Sequence, residues 1–196
     1  MRYLKYSKNR THIEMAADWE FPGSELAPEE VVRGSDGKLY LASELPEPSI
    51  NEVKADALRK VDAITSDLIL AGFDYETDPG TGTPEVLHFS YDSFDQQNFA
   101  DSAIAMQLGS TVSDAIPTST PWNAYRDYTP ETGGELIVLQ LTAETFLPLY
   151  STALTHKATK MAEGSSRKAL IESATSIKQI QELLVSWGIE EGSSLN

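Results

Sequence analysis

The chain has 196 residues, of which 40% are hydrophobic and 23% charged, with a formal net charge of −15 and no cysteine. This is enough apolar material for one packed domain and a small appendage, and too much for a disordered chain. The charge argues against nucleic acid and anionic membranes as partners, and the missing thiols exclude disulfides and thiolate metal sites.

Residues 1–48 read as a small β-rich module. Met1–Tyr6 suits an edge strand, with Tyr3 and Leu4 on opposite faces. The basic start at Met1–Lys8 has no apolar core behind it, so no secretory signal is expected. No apolar run approaches the ~20 residues of a membrane-spanning helix. Pro22-Gly23 and Pro28 interrupt regular structure, Ser35-Asp36-Gly37 signals a turn, and Lys38–Ala42 follows as a strand. Four of the 15 basic residues, Arg2, Lys5, Lys8 and Arg10, fall in the first ten positions. They make a candidate partner-binding cluster on an otherwise acidic protein, or a solvated strand face. Pro46-Glu47-Pro48 is a stiff connector and marks the expected boundary.

Residues 49–188 read as a helical domain with a small antiparallel sheet, followed by a polar tail at 189–196; the expected fold class is α+β. Ser49 with Glu52 forms a capping box for a first helix ending at Ala71-Gly72. Within it Ala57, Val61, Ile64 and Leu68 follow heptad spacing. This stripe is either an oligomer seam between copies or a face packed on its own domain. Phe73–Phe89 suggests two strands around a Gly- and Pro-rich loop, Thr77–Pro84. Ser93 and Gln96 suggest a second capping box, for a helix to about Leu108 with two apolar stripes, Phe99/Ala103/Met106 and Ala100/Ile104/Leu108. Ser110–Pro130 reads as a loop carrying Trp122, Tyr125 and Tyr128, and Leu136–Leu141 as a strand covered on at least one face. Thr142 is the expected cap of a third helix, with a break at Gly164-Ser165-Ser166. Thr175 or Ser176 caps a last helix, which Gly188 ends.

Several of these segments together resemble an uncharacterised domain family of bacteriophage and prophage proteins from the tail-fibre gene region. The matching residues are Ala71-Gly72-Phe73-Asp74-Tyr75, Phe89 with Tyr91-Asp92-Ser93, Trp122-Asn123, Leu141-Thr142-Ala143-Glu144, His156-Lys157 and Ile171 to Leu184. The likeness spans roughly residues 50–187; the loop Thr77–Pro84 and the pair Tyr125/Tyr128 depart from it. It implies a non-enzymatic virion component, a tail-fibre or baseplate-associated protein made in the host cytoplasm. It also leaves room for a tail-fibre assembly chaperone that is not retained. No active site is carried over, because none is agreed for the family.

The residues themselves offer few reactive sets, and no catalytic residue, metal ligand or cofactor is expected. Asp74, Glu76, Asp78, Gly80 and Glu85 approach the spacing of a calcium loop, but they fit a strand entering a turn better. Asp92 and Asp95 suit a helix N-terminus more than acid–base chemistry. His12, His88 and His156 lack metal-ligand spacing. Trp122 with Tyr125 and Tyr128 is a candidate glycan platform, with core packing as the alternative.

Overall fold

Two antiparallel sheets, separated in sequence by a long helix, organise an α+β chain. The computed structural model describes residues 1–34, 36–112 and 119–189. Ser35 of the expected turn and residues 190–196 of the expected tail lie outside the described residues. By compactness the chain divides into one unit of residues 1–57 plus the segment from Ala174, and a second unit of Leu58–Ser173. This differs from a boundary at the Pro46–Pro48 connector. The first helix continues without a break across the division, and the C-terminal helix falls in the same unit as the β module.

The first unit holds β1 (Tyr3–Tyr6), β2 (Ile13–Ala17), β3 (Glu25–Leu26), β4 (Val31–Arg33) and β5 (Leu39–Leu41), in spatial order β3-β1-β2-β5-β4. The register between β1 and β2 slips after Lys5, so that Lys5 faces Met15 and Tyr6 faces Ile13, with Glu14 as the extra residue. The slip turns Ile13 inward, at 2% exposure, and Met15 outward, at 53%. Leu4, Ile13, Val31 and Leu41 form a small core of the module's own. In the same unit, the Ser176 side chain accepts from the Gln179 N–H and caps α4 (Ile177–Ser186). Ile180 and Leu184 of α4 are buried, and so is Ile189 beyond it.

Helix α1 (Ile50–Leu70) starts as its sequence specifies. The Glu52 carboxylate accepts from the Ser49 backbone N–H at 2.8 Å, and the Glu52 N–H donates back to the Ser49 hydroxyl at 3.3 Å. It ends at Gly72, whose φ of +87° is left-handed. A Cβ there would lie 2.2 Å from the Phe89 carbonyl oxygen, so only glycine fits.

The second unit is built on a sheet of β6 (Phe73–Thr77), β7 (Glu85–Phe89), β8 (Ser119–Arg126) and β9 (Glu135–Thr142), in that order. Helices α2 (Ser93–Val112) and α3 (Ala143–Ser173) complete it. Phe73, Leu87, Phe89, Phe99, Leu139, Leu141, Phe146 and Leu149 form the core. Burying each such side chain is worth about 1.5–3 kcal/mol before entropy is subtracted. Leu136 and Val138 on the other face of β9, and Val86 on β7, are exposed, so the described residues do not cover this face.

Four expectations change here. Trp122 and Tyr125 lie in strand β8, not in a loop. The α2 cap is Asp92, not Ser93: its carboxylate accepts from the Phe94 and Asp95 N–H groups, each at 2.8 Å. The second stripe of α2 is not buried, because Ile104 and Leu108 are about half exposed. Helix α3 runs through Gly164 unbroken, and Gly164 is buried. Pro148 is the sixth residue of α3, past the first turn, so it forgoes the hydrogen bond that a backbone N–H there would donate to the Glu144 carbonyl.

Candidate functional site

Strand β8 is longer than its neighbour β7. The two pair only where Tyr125 meets His88, because β7 ends at Phe89 and the chain turns through Ser90–Asp92 into α2. The first part of β8 therefore pairs with β9 alone, from Ser119 opposite Thr142 to Ala124 opposite Ile137. Its other edge borders an open cleft of about 610 Å³, walled on the far side by the first turns of α2.

The α2 wall carries Phe94, Asp95, Asn98 and Ser102, and the β8 wall carries Thr120, Pro121, Trp122, Asn123 and Tyr125. Asp95, Asn98 and Ser102 share one helix face by their spacing of three and four. Asp92, at the cleft's end, is occupied by capping α2. Asp95, Asn98 and Asn123 make no side-chain hydrogen bond with another described residue. Phe94 is 73% exposed. Trp122 is half-buried, its ring 4.2 Å from Phe99 and 5.4 Å from Phe146, so the core holds it rigidly from behind.

The expected aromatic platform is thus divided. Trp122 and Tyr125 line the cleft, whereas Tyr128 stacks on the His88 imidazole at 3.8 Å and 4°. The sequence alone does not single out Phe94 and Asn98, and it marks Asn123 only through the family likeness. The polar face of α2 was readable there, but its pairing with a strand edge was not.

The other sequence candidates fall elsewhere. Arg2, Lys5, Lys8 and Arg10 are all exposed on the N-terminal module. Arg10 pairs with Glu25 at 3.1 Å and lies 4.5 Å over the Tyr6 ring, while Arg2, Lys5 and Lys8 have no ion pair among the described residues. Of the heptad stripe, Ala57 and Val61 are buried inside the chain, Ile64 is half-buried, and Leu68 alone is exposed. Two of the four seam positions are therefore unavailable to another copy, because folding of this chain already covers them.

The acids of the calcium-like spacing go to separate partners. Asp74 meets His88 Nδ1 at 2.9 Å. Asp78 accepts from the N–H groups of Gly80, Thr81 and Gly82 at 2.8–3.0 Å. Glu85 receives a two-pronged contact from Arg126, at 2.7 and 2.6 Å, which holds its carboxyl below the usual range. Arg126 also reaches Glu135 at 2.8 Å, tying β7, β8 and β9 together. No group of acids or histidines suited to a metal ion occurs among the described residues. His12 contacts Thr11, while His156 packs against Phe73 and Tyr91. No helix among the described residues is long and apolar enough to cross a membrane.

The residues that carried the family resemblance converge in space. Phe73, Phe89, Tyr91, Trp122 and His156 join one aromatic cluster through Phe73 and Phe99, with centroid separations of 4.2–6.1 Å. A family model described as a domain of unknown function (DUF4376) matches residues 52–183. No curated protein and no solved structure matches the chain.

Proposed function

The chain belongs to the DUF4376 family, and from that premise, joined to the tail-fibre resemblance of its motifs, we propose that it is a non-enzymatic component of a bacteriophage tail. In this reading it binds a tail-fibre or baseplate protein through its N-terminal β module, and its place is the virion. The motif residues support an architectural role, since they are spent on an aromatic core.

One observation carries the attachment. The outer face of the first sheet presents Tyr3, Lys5, Met15, Ala17 and Leu26, as the pairings of Tyr3 with Ala17 and Leu26 and of Lys5 with Met15 require. Met15 and Leu26 are each 53% exposed, and Trp19, just past β2, is 70% exposed. Apolar side chains of this size beside Arg2 and Lys5 fit a protein partner with an acidic rim. Contacts by these cations weaken with salt.

Mass spectrometry of purified virions tests the reading. The protein should appear at a defined copy number, and the triple variant Lys5→Glu/Met15→Ser/Trp19→Ala should be folded yet missing from particles. A wild-type protein present during assembly but absent from virions would instead make it an assembly chaperone. Unchanged incorporation of the variant would move the attachment elsewhere.

A further inference from the structure

We infer that the cleft between α2 and β8 is a saccharide-binding site. Its volume of about 610 Å³ lies within the band of small-ligand sites. The ligand class follows from the lining. Asp95, Asn98 and Asn123 offer a carboxylate and two amides with no side-chain partner among the described residues, in planar groups able to bridge adjacent hydroxyls. The aromatic surface of Trp122, Tyr125 and Phe94 offers apolar faces for the C–H side of a pyranose ring. An all-apolar ligand would strand the three polar groups, and burying them unpaired is unfavourable.

Charge narrows the class further. Among the described residues no lysine or arginine lines the cleft, and Asp92 and Asp95 do. Phosphorylated, sulfated and sialylated ligands are therefore disfavoured, and a neutral or N-acetylated oligosaccharide is favoured. Preorganisation adds to this. Trp122 is held from behind by Phe99 and Phe146, so ordering it for a ligand costs little. Phe94 is free to close over a bound ring, because it stands at the first turn of α2 and is largely exposed. The site is on the second unit and does not depend on attachment through the first.

The experiment is a glycan array probed with the full chain, followed by calorimetric titration with chitotriose, N-acetyllactosamine, maltotriose and 3′-sialyllactose. Neutral or N-acetylated glycans should bind, and sialyllactose should not. Phe94→Ala and Asn123→Ala change exposed side chains and should leave the circular dichroism spectrum unaltered. Each should weaken binding about three- to tenfold. Asn98→Ala gives an independent check from the helix wall. Failure of every glycan to bind overturns the assignment. So does binding that survives all three substitutions, or binding confined to sialylated members. None of these outcomes bears on whether the protein enters virions.

Discussion

Gly164 of α3 sits directly against Thr65 of α1: a Cβ on Gly164 would lie 2.4 Å from Thr65 Oγ1 and 2.9 Å from its Cγ2. Two further contacts line up with this one, Lys168 with Asp62 at 2.7 Å and His156 Nε2 with the Ile69 carbonyl at 3.3 Å. The pairs run in opposite directions along the two helices, so the second half of α1 lies antiparallel to α3. The glycine lets the two backbones approach, and it is not a break in the helix.

Gly164→Ala should therefore destabilise the protein, although alanine is the better helix former by about 1 kcal/mol. Thr65 cannot rotate clear, because its β-branched side chain would replace one heavy atom by another, and its hydroxyl is bonded to the Val61 carbonyl at 2.7 Å. Overpacking costs about 1–3 kcal/mol. Urea denaturation should show a loss for Gly164→Ala and substantial recovery in Gly164→Ala/Thr65→Ala. Equal stability of Gly164→Ala and wild type would mean that the helices are farther apart.

Asp92→Ala should cost about 1 kcal/mol, the usual value for a lost N-cap, whereas Ser93→Ala should cost a few tenths. Thermal melts of the two variants check this. The reverse order would restore Ser93 as the cap.

Val61→Asp should unfold the chain, since a buried unpaired carboxylate costs several kcal/mol. Circular dichroism with light scattering distinguishes this from dissociation of an oligomer. A folded monomer produced from a wild-type oligomer would show that the α1 stripe is an intermolecular seam after all.

The Arg126 fork makes a signed prediction about pH. Glu85 is held below its ordinary value in the folded state, chiefly by the Arg126 hydrogen bonds. Its contribution is therefore present above the unfolded carboxyl pKa and disappears as pH falls through the lower folded value. Wild type should lose stability on acidification from neutral pH, and Glu85→Gln should lose less over the same range. Parallel urea titrations at pH 7 and pH 3 measure the difference. Identical pH dependence of the two proteins would remove Glu85 from the acid response.

What the sequence determined by itself is the local grammar. Ser49/Glu52 begins α1, Gly72 ends it, the Phe73 and Val86 segments form paired strands, and the α+β class follows from the alternation of such elements. Those signals act over a few residues, through backbone donors, left-handed glycines and side-chain period. Tertiary structure decided the rest. Ser119–Arg126 is a strand because β9 supplies a partner along its full length, and its Pro121 and polar residues hid that from local propensity. Gly164 continues its helix because Thr65 of a distant segment needs the space. Ile13 and Met15 point to opposite faces because of a register slip that only the pairing partner reveals. The cleft likewise exists because β7 is shorter than β8, which is a relation between elements and is written in neither.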